Sequence, residues 1–267
     1  MSGLERRRPE LTRDVTARLR ALTPARVGLG RTGVSLETRD VLDFQRCHAL
    51  ARDAVHARLE SAALAAALSK LTGGHALELH SAAADRTTYL QRPDLGRRLD
   101  EPSRKALDQA AHTSGCDLAL IVADGLSALA VERHVTPLVT ELLPCLQDPG
   151  VAGWKLAPIC VVEQGRVAIG DEIASALEAR IALVLIGERP GLSSPDSLGA
   201  YITWNPRPGC TDAERNCISN IRPEGLNYAQ AAAEVAYILI QARRLQVTGV
   251  ALKAEAQRPG AFKEVER

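Results

Sequence analysis

The hydrophobic residues in the second half of the chain fall into short continuous runs, separated by glycine, proline and charged residues. Three runs, at 117–123, 158–162 and 181–186, are rich in leucine, isoleucine and valine. Such runs predict strands that are buried on both faces, as in a parallel sheet covered by helices. Two further segments, 198–204 and 217–221, are also predicted to be extended.

Helical segments alternate with these strands. We predict helices at 103–112, 127–146, 171–178 and 228–247, the second of which has to tolerate Pro137. Strands that alternate with helices are typical of α/β proteins. The predicted fold class is therefore α/β, with a mostly parallel sheet flanked by helices.

The first hundred residues are predicted to be mainly helical, with one long helix from about residue 36 to residue 68. The residues from Gly28 to Gly33 match the pattern GxGxxG. A dinucleotide-binding fingerprint follows a buried strand, and none is predicted here, so we interpret this stretch as a glycine-rich loop. A short strand fits residues 76–80.

The segment from Tyr89 to Leu99, YLQRPDLGRRL, is predicted to be a basic loop because proline and glycine interrupt it. Its three arginines and Asp94 could bind an anion or a partner subunit. A solvated loop with no binding role is the alternative interpretation.

Four regions are predicted along the chain. Residues 1–28 form a flexible basic arm and residues 29–100 a helical region with a loop. Residues 101–252 form the α/β domain, and residues 253–267 a charged tail.

Composition excludes several classes of protein. The chain of 267 residues is 46% hydrophobic and 3% aromatic, so aliphatic residues must fill its core. The net charge of +1 argues against a nucleic-acid-binding protein. No apolar run approaches the roughly 20 residues that span a membrane. The six cysteines form no CxxC pair, which predicts buried thiols in a reducing cytosol and no zinc site.

Common catalytic motifs are missing from the sequence. It contains no GxxxxGK[ST] phosphate loop, no HExxH zinc helix and no GxSxG nucleophile elbow. Glu188 is the most suggestive single residue, because it follows the apolar run 181–186 between Gly187 and Gly191. Ligands of open α/β sheets bind at the carboxyl ends of strands. An ordinary exit from a strand, with a solvated glutamate, is the alternative.

Several uncommon strings, in order and at similar spacing, resemble the small (light) subunit of ethanolamine ammonia-lyase. They run from about Leu29 to Leu245, and the residues before about position 25 fit the family less well. The strings are LGRTGVSLETRDVLDFQ, YLQRPDLGRRL, VADGLSA, GRVAIGDEI, VLIGERPGL and NCISNIRPEGLNYAQAA.

The resemblance implies a subunit of a carbon–nitrogen lyase that depends on adenosylcobalamin and converts ethanolamine to acetaldehyde and ammonia. It implies a Rossmann-like domain that covers one side of the cofactor, beside a large subunit with a TIM barrel, in a heterododecamer. A cytoplasmic location, in a bacterial microcompartment, is also implied. This chain alone would be inactive and would hold no catalytic residue.

The family's cobalamin keeps its own dimethylbenzimidazole on cobalt, so neither a protein histidine nor a separate metal site is required. The sequence around His112 agrees, because it lacks the aspartate of the histidine-type signature DxHxxG and has Ala110 there. We interpret His112 as a cation at the end of a helix.

Three cofactor-binding residues are implied by the resemblance: Val167 in GRV, Glu188 in GERPG and Cys217 in CISN. Two other functions stay open on the residues alone. One is a stand-alone nucleotide-binding α/β enzyme, and the other is a structural partner in a shell or larger assembly.

Overall fold

The computed structural model describes residues 16–23, 25–110, 115–147 and 153–252. The chain divides into two compact units, one that ends at Ala49 and one that begins at Leu50. The first fifteen residues of the predicted arm, the helix-end cation His112 and the predicted tail 253–267 lie outside the described residues.

The first unit contains a short helix, a hairpin and the start of a long helix. Helix α1 is Ala17–Arg20, and strand β1 (Arg31–Thr32) pairs antiparallel with β2 (Ser35–Leu36). Both strands are exposed. The turn between them contains Gly33, whose φ of +65° favours glycine. The GxGxxG stretch therefore ends in an exposed hairpin and follows no buried strand among the described residues.

The single long helix predicted from about residue 36 to residue 68 is wrong. The chain forms α2 (Thr38–His56) and α3 (Ser61–Thr72), with residues 57–60 between them. Leu59 is buried in this break, and the backbone N–H of Glu60 donates to the Glu132 carboxylate at 3.1 Å. These tertiary contacts separate α2 from α3, although the local sequence contains no glycine or proline that would end a helix here.

The second unit contains the remaining strands and helices. The strands are β3 (Ala76–His80), β4 (Leu118–Ala123), β5 (Ile159–Glu163), β6 (Ile181–Gly187), β7 (Leu198–Trp204) and β8 (Arg215–Ile221). The helices are α4 (Arg86–Gln91), α5 (Glu101–Ala110), α6 (Ala128–Leu146), α7 (Ile169–Ala176) and α8 (Tyr228–Leu245). Single turns of 3-10 helix occur at Leu95–Arg97 and Asp212–Glu214. No helix in the described ranges is long and apolar enough to cross a membrane.

Six strands form one sheet in the order β3-β5-β4-β6-β7-β8. The first four are parallel, whereas β7 runs antiparallel to β6 and β8 antiparallel to β7. This confirms the α/β class with a mostly parallel sheet, and the arrangement is compatible with a Rossmann-like domain. The carboxyl ends of β3 to β6 meet at one edge, where β7 begins and β8 ends.

Alternate residues of the buried strands fill two separate cores, one on each face of the sheet. Leu118, Leu120 and Val122 of β4 face the core that α3, α6 and α8 cover. Ala119 and Ile121 face the opposite core, which includes residues of α5 and α7. Successive side chains of a strand point to opposite faces of the sheet, and both faces are buried here. These strands are therefore apolar along their whole length.

The domain bounds predicted from the sequence stay a prediction. The structure adds that β3, which precedes residue 101, pairs in register with β5 and belongs to the same sheet. The helix predicted at 171–178 forms two residues earlier, as α7.

A buried ion pair joins α7 to β8. Both oxygens of Asp171 accept hydrogen bonds from Arg215, each at 2.6 Å, and the two side chains are 1% and 3% exposed. Arg215 also donates to the Thr203 hydroxyl at 3.0 Å. Burial raises the pKa of Asp171, although the arginine opposes this. The antiparallel end of the sheet is thus anchored to the helix that follows β5.

We expect Asp171→Asn to destabilise the chain by about 3–5 kcal/mol, because it leaves a buried guanidinium without its counter-charge. Urea unfolding of the full chain measures this change. The control is Asp94→Asn, which removes an exposed carboxylate paired with Arg92 at 2.8 Å and should change stability little. Equal effects of the two substitutions would contradict the structural role of the buried pair.

Candidate functional site

Three loops that follow parallel strands approach one another closely at the carboxyl edge of the sheet. A Cβ atom at Gly187 would lie 2.1 Å from the carbonyl oxygen of Ser127, and one at Gly125 would lie 2.2 Å from the carbonyl oxygen of Gly187. Gly125 also has a φ of +57°. Only glycine fits at these two positions, so the glycines after β4 and β6 are required by the packing of the loops themselves.

A buried carboxylate joins two of these loops. Asp124, which follows β4, accepts a hydrogen bond from the backbone N–H of Gly165 at 3.0 Å. Arg86 lies 3.5 Å from the same carboxylate and donates to the Gly125 carbonyl at 2.8 Å and to Gln164 at 3.2 Å. Burial raises the pKa of Asp124 to about 6, although Arg86 and the backbone N–H groups oppose the shift.

Tyr89 lies between two guanidinium groups. Those of Arg86 and Arg166 are 4.8 Å and 4.1 Å from the centre of its ring, within the range of a cation–π interaction. Its hydroxyl donates to the Gly165 carbonyl at 3.2 Å. The prediction of a loop from Tyr89 to Leu99 is wrong at its start, because Tyr89 is fully buried in α4 and a 3-10 turn follows. A tyrosine that packs against two arginines stabilises a helix here.

A cavity of about 480 Å³ lies above these loops. Its apolar wall includes Leu126, Val167, Ile186 and Tyr201, and its polar groups include those of Arg166, Glu188 and Ser219. Arg166 donates to the Tyr89 carbonyl at 3.1 Å, but its buried Nε has no hydrogen-bond partner among the described residues. An apolar wall with a few convergent polar groups is typical of a small-molecule site.

Glu188 is held in place from two sides. One of its oxygens, Oε2, accepts hydrogen bonds from the hydroxyl of Ser197 and from the backbone N–H of Asn220, the latter at 3.1 Å. Its own backbone N–H donates to the Ser197 carbonyl at 2.9 Å. In the part of the chain that the structure covers, no hydrogen bond uses Oε1. The half-buried carboxylate therefore offers one fixed acceptor to the cavity.

The structure brings two of the three predicted residues together. Val167 and Glu188 both line the cavity, whereas Cys217 does not. Cys217 is exposed on β8, directly opposite the cavity residue Tyr201. Burial and a hydrogen bond with Cys217 raise the pKa of Tyr201. The cofactor-binding roles of all three residues stay predictions.

The expectation of buried thiols holds for Cys116 and Cys160 and is wrong for Cys217. Five of the six cysteines are free thiols: Cys47, Cys145, Cys160, Cys210 and Cys217. Within the described ranges, no group of three or more His, Cys, Asp or Glu side chains could hold a metal ion.

Sequence reasoning missed the residues that build the site around the predicted ones. Asp124, Arg166 and Tyr89 lie inside the strings that carry the family resemblance, as do Ser219 and Asn220. Their position within these strings is the only feature of the sequence that could have indicated a role in the site. Nothing in the pattern indicated that Ser197, in the loop before β7, would bind Glu188.

The fold and the cavity define an α/β protein with a candidate ligand site at the carboxyl edge of a mostly parallel sheet. The model of the family "Ethanolamine ammonia-lyase light chain (EutC)" matches residues 13–253. The chain therefore belongs to the ethanolamine ammonia-lyase small-subunit family, a family of lyase subunits, and the family resemblance is confirmed.

Curated relatives agree over almost the whole chain. The chain is 57% identical over 252 residues to the ethanolamine ammonia-lyase small subunit of Ralstonia nicotianae, covering 93% of this chain and 92% of that protein. It is 56% identical over 241 residues to that of Pseudomonas syringae pv. tomato, covering 90% and 83%. The name small subunit implies a large subunit as partner.

Asp124 makes stability depend on pH. Its folded pKa lies above its ordinary value of 3.8, so the folded state binds more protons between pH 4 and pH 6 and loses stability as pH rises through this range. The loss amounts to at most about 3 kcal/mol. Asp124→Asn should remove it, so that the variant gains stability relative to the unmodified chain as pH rises from 4 to 7 in urea unfolding.

Asp196→Asn is the matched control with the opposite sign. Burial opposes the shift, but the hydrogen bond and charge of Arg133, together with the charge of His134, lower the pKa of Asp196. This variant should lose stability relative to the unmodified chain as pH rises towards 3.8, the ordinary pKa of the carboxyl, and the difference should stay constant above that pH. Parallel stability curves for the unmodified chain and Asp124→Asn would contradict the role given to Asp124.

Proposed function

We propose that this chain, together with its large subunit, converts ethanolamine to acetaldehyde and ammonia, and that it forms part of the adenosylcobalamin-binding site. The proposal rests on one structural observation, the cavity that places Val167, Arg166 and Glu188 together at the carboxyl edge of the sheet. Membership of the family supports the reaction and the partner. When bound, adenosylcobalamin supplies the radical chemistry.

The residues of the cavity fit the edge of a corrin. A corrin has an apolar ring edge surrounded by neutral amide side chains, which both donate and accept hydrogen bonds. Val167, Ile186 and Tyr201 offer apolar contact area, and the unused Oε1 of Glu188 can accept from an amide N–H. The guanidinium group of Arg166 and the hydroxyl of Ser219, which also line the cavity, can donate to an amide carbonyl. The donors and acceptors of the wall thus match those of the ligand.

The chain's own contribution is to hold and shield the ring. The loop interactions of Asp124 and Gly187 fix the positions of Val167 and Glu188 before the ligand arrives, which lowers the entropy cost of binding. We place Cys217 at the rim, where its exposed sulfur can contact the ligand beyond Tyr201. None of the described histidines lines the cavity.

The same proposal covers the finer points of assembly. It includes a large subunit with a TIM barrel, a heterododecamer of the two subunits and a cytoplasmic location in a microcompartment. Family membership alone supports these points. The substrate pocket is assigned to the large subunit.

The purified chain alone, given adenosylcobalamin and ethanolamine, should form no acetaldehyde, and addition of the large subunit should start turnover. The reason is that, in this proposal, the chain supplies one wall of the cofactor site and the large subunit supplies the substrate pocket. A coupled assay of acetaldehyde measures both conditions. Turnover of ethanolamine by the isolated chain would refute the assignment of the substrate pocket to the large subunit.

Glu188→Ala should weaken adenosylcobalamin binding to the assembled complex by roughly three- to a hundredfold. A hydrogen bond contributes about 0.5–1.5 kcal/mol, and one to a charged group about 1.5–3 kcal/mol. Glu188→Gln keeps an acceptor and should cost less. Cofactor titration at saturating ethanolamine measures the change.

Glu234→Ala, which removes an exposed glutamate of α8, is the control and should bind normally. The affinity for ethanolamine should change little in all three variants. Cofactor binding by Glu188→Ala at the level of the unmodified complex would contradict the placement of this residue. So would an effect confined to the ethanolamine requirement.

A further inference from the structure

The loop between β6 and β7 begins with Glu188 and ends with Ser197. These two residues are joined twice, because the backbone N–H of Glu188 donates to the Ser197 carbonyl at 2.9 Å and the Ser197 hydroxyl donates to Oε2 of Glu188. Between them, Gly191 and Ser194 exchange two backbone hydrogen bonds, at 2.8 Å and 3.2 Å. The position of the Glu188 carboxylate therefore depends on where the second half of this loop lies.

The second half of the loop is attached to helix α6. The hydroxyl of Ser127, which caps α6, donates to the Pro195 carbonyl at 3.0 Å. Farther along the helix, Arg133 donates to the carboxylate of Asp196 at 2.7 Å. The side chain of Asp196 is only 16% exposed, whereas that of Arg133 is 55% exposed. The loop thus turns a carboxylate inwards, onto the helix.

A buried histidine of α6 contacts the same carboxylate. The Nε2 atom of His134 lies 3.5 Å from Asp196, and its Nδ1 atom lies 2.8 Å from the hydroxyl of Tyr228, at the start of α8. Burial lowers the pKa of His134, although Asp196 opposes the shift. The ring is therefore neutral at pH 7, and Arg133 supplies the counter-charge of Asp196. Asp196 is held between an outer cation and an inner, neutral ring.

We propose that Asp196 is a positioning residue for Glu188. Held by Arg133 and His134, it fixes the adjacent Ser197, which in turn fixes Oε2 of Glu188 and leaves Oε1 to the cavity. Asp196 itself does not line the cavity, so it can act there only through its neighbour. The consequence for cofactor binding rests on the proposed function.

Asp196→Ala should weaken adenosylcobalamin binding to the assembled complex by about two- to tenfold, the change expected when one side chain has to be ordered on binding. Glu188 keeps its hydrogen bond from the backbone of Asn220, so the loss should be smaller than that of Glu188→Ala. Asp196→Asn keeps an oxygen for Arg133 and should recover most of the affinity. Cofactor titration at saturating ethanolamine measures these changes.

A double-mutant cycle tests whether Asp196 acts through Glu188. In the Glu188→Ala background, Asp196→Ala should change cofactor affinity less than about twofold, because no carboxylate is left to position. The matched control is Asp117→Ala at the opposite edge of the sheet. Asp117 is 15% exposed and lies 3.5 Å from Arg243 of α8, so its removal disturbs a similar pair far from the loop and should leave cofactor affinity unchanged.

A measurement without cofactor separates this inference from the proposed function. In the full chain labelled with carbon-13 at the glutamate carboxyl groups, the NMR resonance of Glu188 is assigned by its absence in Glu188→Gln. It should shift in Asp196→Ala and in Ser197→Ala, and stay in place in Asp117→Ala. Such a shift, with normal cofactor binding by both Asp196→Ala and Glu188→Ala, would support the positioning role and refute the corrin contact of Glu188.

Three results would overturn the inference. One is an unchanged Glu188 resonance in Asp196→Ala. The second is an equal loss of cofactor affinity on Asp196→Ala with and without the Glu188 side chain. The third is a loss of the same size in Asp117→Ala, which would reduce the effect to general destabilisation. If Asp196→Ala does not assemble, Arg133→Ala removes an exposed side chain from the same ion pair and enters the same cycle and NMR measurement.

Discussion

The site depends on the close packing of the loops that follow β4, β5 and β6. The buried carboxylate of Asp124 accepts from the loop after β5, while Arg86 binds the same carboxylate and the carbonyl of Gly125. Because Gly187 has no side chain, the loop after β6 can lie against the backbone of Ser127. Each contact involves backbone groups from a different strand end, so loss of one would move the others. The candidate residues are presented on a rigid edge and not on free loops.

The antiparallel end of the sheet completes this edge. Because β7 begins and β8 ends where β6 ends, Ser197, directly before β7, and Asn220 of β8 both bind Glu188. An all-parallel sheet would place the start of a strand at the opposite edge. The ion pair of Asp171 and Arg215 anchors β8 to α7 and so supports the arrangement from the other side.

Two neighbouring cavities follow from this geometry. One is the cavity of the candidate site, and the other, of about 860 Å³, has a lining that includes five arginines, Glu172 and Asp212. Arg166 belongs to both and packs on Tyr89, so it links the α4 region to the loop after β5.

The sequence by itself determined the α/β class, the strands β4 to β7 within a residue or two, and the family. Apolar runs bounded by glycine are local signals, and the strings GERPGL and CISNI are specific in themselves. The tertiary structure alone decided the break at Leu59, the burial of Tyr89, the exposure of Cys217 and the partners of Glu188. Each of these depends on residues distant in the chain, such as Glu132 for the break and Ser197 for Glu188. A local pattern carries no information about which distant groups will meet, because packing and hydrogen bonding across the fold select them.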